Sequence, residues 1–318
     1  MTRREGSPLR GVQTVAIKEA ADHIGSARLH LIMLLVLLVS AGAIYAAIGQ
    51  IKQTTAQDPY LFLKLMTVAQ QPLPSFASLL GFLLPLVGIG LGFDAINGEF
   101  SRRTLSRILA QPIYRDALLF GKLLGGLFVI AVALLTLWLL TTGAGILLLG
   151  QPPSGEDVAR GLIYLLSTLV YAGVWLAVAI AFSTVLRSPA TSALAALALW
   201  LVLSVFWSML APLAAQAIAP INPLDPVTAL HQYEWLQAIS RLSPANLYSE
   251  IAAILLDPSS RSVGPVFMSQ MQGALIGAPL STMQSILIVW PQIASLFAAM
   301  VLLFTLAYIL FQRQEVRA

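Results

Sequence analysis

The sequence predicts an all-α integral membrane protein with six transmembrane helices, and three observations carry that expectation. Of 318 residues, 58% are apolar and only 10% are Asp, Glu, Lys or Arg, against about 25% charged in a soluble domain. Mean hydropathy is +0.83, so polar groups are too few to cover the outside and lipid must replace water as solvent. Six runs approach the roughly 20 apolar residues that a helix needs to cross a 30 Å hydrocarbon layer.

The first element is a helix between Gly11 and Arg28. Val12, Val15, Ala16, Ala20, Ile24 and Ala27 recur at three- and four-residue spacing, with Gln13, Lys18, Asp22 and Ser26 off that face. Such a stripe predicts an amphipathic interface helix on the inner leaflet, making 1–28 a cytoplasmic segment. The apolar run that follows exceeds the 7–15 residues or so of a secretory signal and reads as a retained span. Residues 29–311 form the transmembrane domain, with spans at 29–49, 77–93, 123–149, 162–186, 193–214 and 286–311, and 312–318 form a cytoplasmic tail. Pro85 and Pro212 interrupt spans two and five, each freeing a backbone carbonyl. The pairs Gly88/Gly92 and Gly121/Gly125 permit close helix approach, and the first is expected where helices two and five meet.

Between spans five and six, about 215–285, the chain is too long for a plain connector and too apolar to be disordered. Asp225 before Pro226 and Ser243 before Pro244 read as N-caps followed by Pro at the first helical position, which predicts helices over 226–242 and 244–256. The apolar run from Ala252 to Leu256 predicts that the second packs on the spans or dips into the outer leaflet.

Sidedness follows from the basic residues. Arg3, Arg4, Arg10, Lys18, Arg28, Arg102, Arg103, Arg107, Arg115, Lys122, Arg187, Arg313 and Arg317 fall on one side of a six-span layout and account for 13 of the 18. The positive-inside bias therefore puts both termini in the cytoplasm of a multi-pass protein of the cell inner membrane. The net charge of +4 is thus explained by topology, and no nucleic-acid partner is implied; the expected surroundings are membrane lipid.

Several chemistries are excluded. Without Cys, disulfides, thiolate zinc sites and cysteine nucleophiles are impossible. The spans hold almost no charge, which disfavours an ion-coupled carrier, because such a charge is kept in the bilayer only for use; Asp94, at the inner end of span two, reads as an interfacial carboxylate near Arg102 or Arg103. His23, His30 and His231 are scattered, no Gly-x-Ser-x-Gly elbow occurs, and Gly121-Lys122 lacks the remainder of a P-loop. Met268, Met271 and Met283 are better read as packing than as copper ligands.

The densest polar stretch, from Phe93 to Ile113, joins spans two and three. Leu105, Ile108 and Leu109 form one face and Arg103 and Arg107 another, a short amphipathic helix stopped before Pro112 and shaped to receive a cytoplasmic partner. A solvated loop obeying the positive-inside bias would read the same way. The run Glu99 … Thr104-Leu105 … Leu109 … Pro112-Ile113 … Arg115 … Gly121-Lys122 resembles the signature of permease subunits of type-2 ABC exporters. There a glutamate closes the second span, a Gly-Thr or Arg-Thr pair opens a coupling helix, and a Pro, an Arg and Gly-Lys lead into the third. Arg103 stands where many members have Gly. Leu242-Ser243-Pro244 and Tyr248 are similar to the maturation permeases associated with nitrous oxide reductase.

The resemblance implies a non-catalytic subunit that pairs with a second permease copy, identical or merely similar, and sits on two separate ATP-binding cassette subunits. Those subunits would hold ATP and Mg, with no cofactor and no metal in this chain. It further implies a coupling helix at about 98–110, with Glu99, Arg102, Arg103, Thr104, Leu105 and Arg107 meeting the ATPase. The expected function is ATP-driven export of a hydrophobic or amphipathic substrate. The alternative is a mechanotransmission or maturation complex that acts through its outer loop on a periplasmic or extracellular protein, with Tyr233, Trp235 and Tyr248 as exposed aromatic anchors.

Overall fold

The computed structural model describes residues 8–54, 60–103, 115–150, 152–221, 225–259 and 279–313. Regular structure there is helical, apart from one isolated bridge between Gln70 and Leu73. In chain order the helices are α1 (Pro8–Ile24), α2 (Ala27–Thr54), α3 (Leu61–Thr67), α4 (Phe76–Gly92), α5 (Asn97–Ser101), α6 (Arg115–Leu149), α7 (Gly155–Val185), α8 (Pro189–Leu201), a π turn (Val202–Phe206), α9 (Trp207–Ile218), α10 (Pro226–Ser240), α11 (Pro244–Leu256) and α12 (Thr282–Arg313). Six spans result: α2, α4 running on into α5, α6, α7, α8 continued through the π turn into α9, and α12. Several run well past the apolar core of the sequence, because polar ends such as Arg115-Asp116 and Glu156-Asp157 continue the helix beyond it.

Local chemistry sets the starts. Ser75 accepts from the Ser78 amide at 3.3 Å at the head of α4. Ser154 and Asp157 close a reciprocal capping box on α7, each side chain accepting from the other's backbone amide. Asp225 and Ser243 cap α10 and α11 as expected, accepting from Val227 N and Asn246 N.

The core is built around α7, on which α4, α6, α11 and α12 all pack. Tyr164, Tyr171 and Trp175 on α7 are wholly buried. Gly88 and Gly92 lie against this helix, where an added Cβ would come within 2.8 Å of the Ala172 carbonyl oxygen and of Ala179 Cβ. The Gly-xxx-Gly pair of span two therefore meets span four and not span five. Spans two and four are 67% buried, whereas spans five and six are 11% and 17% buried, so the last two present most of their apolar surface outward.

Helices α10 and α11 fold back on the bundle. The Trp207 indole donates to the Ile239 carbonyl at 2.9 Å, and the Ser243 hydroxyl to the Leu203 carbonyl at 2.6 Å. The end of α10 thus returns to the level of the π turn. Helix α11 is then wedged among α4, α7 and α12. Tyr248 stacks on Tyr171 with ring centroids 4.6 Å apart and its hydroxyl bonds that of Tyr164. Tyr248 is therefore a core residue, 3% exposed, and not a surface anchor; Trp235 is exposed.

Candidate functional site

The described part of the expected coupling segment is the short helix α5 and its C-terminal turn. Two backbone amides at its start, Ile96 N and Asn97 N, donate to Ser183 Oγ at 2.9 and 3.2 Å, and Asn97 Nδ2 donates to the Leu186 carbonyl at 3.0 Å. These bonds pin α5 to the end of α7. At its other end Arg102 N donates to Gly98 O and Arg103 N to Phe100 O, each at 3.0 Å. Arg103 has φ 55°, the left-handed conformation in which a helix usually places glycine. Arginine thus occupies a backbone conformation that glycine adopts more readily. Arg102 and Arg103 are exposed, whereas Thr104, Leu105 and Arg107 lie outside the described residues.

Glu99 turns inward, its side chain 17% exposed and 3.5 Å from Lys122 Nζ. Lys122, on α6, is 4% exposed and donates to Glu19 Oε1 on α1 at 2.9 Å. One ammonium therefore joins α1, α5 and α6 between two carboxylates. Burial alone would raise the Glu19 carboxyl, but Lys122, with a smaller part from Lys18, outweighs it and holds the group below its ordinary value. Beside this knot Arg28 makes a two-pronged pair with Asp94 at 2.9 and 3.1 Å and lies over the Phe93 ring, 4.7 Å from its centroid. The partner of Asp94 is therefore Arg28 rather than Arg102 or Arg103. A cavity of about 220 Å³ is lined by both groups together with His23 and Arg102. Burial lowers the pKa of His23.

Helix α1 reaches the knot because α6 offers it a trough. At Gly121 an added Cβ would stand 2.5 Å from Val15, and at Gly125 2.9 Å from the Ala16 carbonyl oxygen and from Glu19 Cβ. The second Gly-xxx-Gly pair is therefore the seat of α1. Val15 and Ala20 are buried there while Ile24 is 49% exposed, so part of the apolar stripe faces α6.

Glu19, Lys122 and Arg28 were not among the expected site residues. A signal for Glu19 existed in the sequence: it lies four residues after Val15 and directly before Ala20, an acid set into the apolar stripe. Lys122 carries no such mark, since a lysine at the head of a span also satisfies the positive-inside bias. Among the described residues no group of three or more His, Cys, Asp or Glu could hold a metal ion.

Six apolar spans, with a compact charged knot at the end bearing both described termini and the two helices α10 and α11 folded back on the bundle, define a polytopic membrane protein. The chain belongs to the ABC-2 family of transporter proteins, whose sequence profile matches residues 13–316. It is 34% identical over 217 residues to a protein of Pseudomonas aeruginosa described as a probable ABC transporter permease protein NosY, covering 66% of this chain and 72% of that protein. It is 27% identical over 313 residues to the protein of the same description from Stutzerimonas stutzeri, covering 95% of this chain and 98% of the relative. As a permease of this family it is a non-catalytic, multi-pass membrane subunit, and nucleotide chemistry resides on a separate ATPase chain.

Proposed function

We propose that this permease couples ATP hydrolysis by two ATP-binding cassette subunits to export of a hydrophobic or amphipathic substrate, and that α5, its C-terminal turn and α1 form the face they push on. In this reading both termini are cytoplasmic, 1–28 is an amphipathic interface segment, the coupling segment covers about 98–110 with a break in the helix at Arg103, and Arg102, Arg103, Thr104, Leu105 and Arg107 meet the ATPase. Glu99 acts one step behind them, through Lys122. The observation that carries the reading is the Glu19–Lys122–Glu99 knot: a force on α5 or α1 is delivered to α6 and, through Ser183, to α7 without slack. The outward apolar faces of spans five and six support pairing with a second permease copy, since lipid or another bundle must cover them.

A second reading is favoured by the hairpin. Helix α11 is tied to the spans by Tyr248 and by Arg160, so motion of the bundle would reach any protein seated on α10, where Trp235 is 49% exposed. A maturation complex acting on a periplasmic or extracellular partner would use that route.

Replacing Glu99 with Ala tests the coupling site. Lys122 keeps its 2.9 Å bond to Glu19, so membrane insertion and span packing should survive. Stimulation of the partner ATPase should fall several-fold, measured in proteoliposomes holding the whole complex. Wild-type stimulation in that variant refutes the assignment of this face.

A further inference from the structure

Helices α6 and α12 both pack on α7 but touch each other little. At the end of the bundle that holds Lys122, a ladder of side chains spans the gap between them. Asp116 and Phe120 on α6 are four residues apart and so share a face, as do Phe304, Tyr308 and Gln312 on α12. The two faces meet in antiparallel order. Phe120 sets its ring edge-on to Phe304 with centroids 4.9 Å apart and tilts against Tyr308 at 6.2 Å. One turn nearer the head of α6, Asp116 Oδ1 accepts from the Tyr308 hydroxyl at 3.2 Å and also from Gln312 Nε2.

Asp116 stands at the head of α6, where the chain returns from the expected coupling segment. The other end of that segment is pinned through α5 to Ser183 and Lys122. The charged knot joins α1, α5 and α6, and Asp116 adds α12. All three members of its hydrogen-bonded group are partly buried, and a carboxylate oxygen that takes two donors from one helix fixes where that helix lies. An acid in the first turn also favours α6 through the helix dipole, a role that needs the charge and not the direction of the oxygen. For that role Asn would serve as poorly as Ala. The ladder needs only an acceptor at this place, which Asn keeps.

We propose that Asp116 is a positioning residue for energy coupling: it holds the head of α6 to span six, so that a push entering beside it shifts α12 together with α6. This role rests on the coupling face assigned above. Span six is only 17% buried, so its displacement is presented on the outer surface of the bundle.

The whole complex, with its ATPase chains, is reconstituted in nanodiscs with a spin label on Leu306→Cys, exposed on α12 in a chain that has no other Cys. ATPase stimulation and the response of the label to ATP are read together. The label should respond in the otherwise wild-type chain. Asp116→Ala should abolish that response and lower stimulation about fivefold, the effect of roughly one net hydrogen bond, whereas Asp116→Asn should keep both within about twofold because the amide oxygen still accepts. Tyr308→Phe with Gln312→Ala removes both donors, leaves a ring on Phe120 and does not touch α6. It should reproduce Asp116→Ala, and all three changes together should cost nothing further. Glu99→Ala in the same assay separates the two assignments. Reduced stimulation there beside wild-type behaviour in Asp116→Ala overturns the role of Asp116 alone; wild-type stimulation in Glu99→Ala removes the coupling face and this role with it. Equal losses in Asp116→Asn and Asp116→Ala, a label silent to ATP in the wild type, or a response that survives removal of both donors would also overturn it.

Discussion

Arg103 carries the one positive φ among described residues other than glycine, and it does so at the boundary between a pinned helix and the segment expected to meet the ATPase. A side chain in this conformation brings Cβ against the carbonyl that follows, at a cost of about 1–2 kcal/mol. Arg103→Gly should therefore raise thermal stability by roughly 1 kcal/mol in detergent, because glycine adopts the turn without that clash. The same variant should lower stimulation of the partner ATPase if the guanidinium touches it. Higher stability together with lower coupling would show that arginine is kept for contact, whereas unchanged stability would mean that the turn is relaxed when the complex is absent. Glu99 illustrates why such roles are hard to read from sequence. Its position in the motif was legible, but its orientation toward Lys122 depends on where α6 places an ammonium 23 residues later in the chain.

At the scale of elements, α1 is the part whose placement the structure specifies most sharply, since a trough, an ion pair and a titrating histidine all act on it. Gly125→Leu would drive a side chain into the Ala16 carbonyl and Glu19, so α1 should lose its amide-exchange protection while α7 keeps its own. Protection of α1 should also depend on pH. His23 faces Glu19, Asp94, Lys122 and Arg28, and burial dominates, holding its pKa below the ordinary 6.5. In that case the unfolded or undocked helix binds the proton more readily. Stability is full above about pH 6.5 and is lost as pH falls through the lower folded value. Glu19, also lowered, adds a second loss only below its ordinary 4.5. Exchange measured between about pH 8 and 5 should therefore show α1 loosening in acid, and His23→Gln should flatten that step. The six spans, the two hairpin helices and their caps were legible because apolar length, Asp225-Pro226 and Ser243-Pro244 are local signals. The partner of Gly88 and Gly92, the burial of Tyr248 and the π turn were not legible. A small-xxx-small pair specifies that some helix approaches closely and not which one; a tyrosine near a capped helix fits a core or a surface equally; and a π turn in an apolar run leaves the periodicity almost unchanged.

Across the whole molecule, α7 connects the two ends. Ser183 receives two amides from the α5 end, and Arg160, roughly 35 Å along the same helix at 1.5 Å per residue, holds the hairpin end. The Arg160 guanidinium is wholly buried. It donates to Glu156 Oε1 at 3.1 Å, to the Leu255 carbonyl at 3.2 Å and to Ser285 Oγ at 3.0 Å, and it also bonds the Leu280 carbonyl. It thereby ties α7 to α11 and α12 with a planar fork whose geometry a lysine cannot reproduce. Arg160→Lys should leave at least one buried acceptor unpaired, at about 1–3 kcal/mol, and free the hairpin from the strut without touching the α5 end. The chain has no Cys, so a spin label on Val227→Cys, exposed on α10, reports hairpin motion free of background labelling. In the assembled complex the label should respond to ATP in the otherwise wild-type protein. With Arg160→Lys that response should be lost while ATPase stimulation stays within about twofold, a factor worth only some 0.4 kcal/mol. With Ser183→Ala both should decline, because the amides of Ile96 and Asn97 lose their acceptor and the push from α5 no longer enters α7. A label response that survives Arg160→Lys would mean that the π turn and α9, bonded to α10 and to the cap of α11 through Leu203 and Trp207, carry the motion instead.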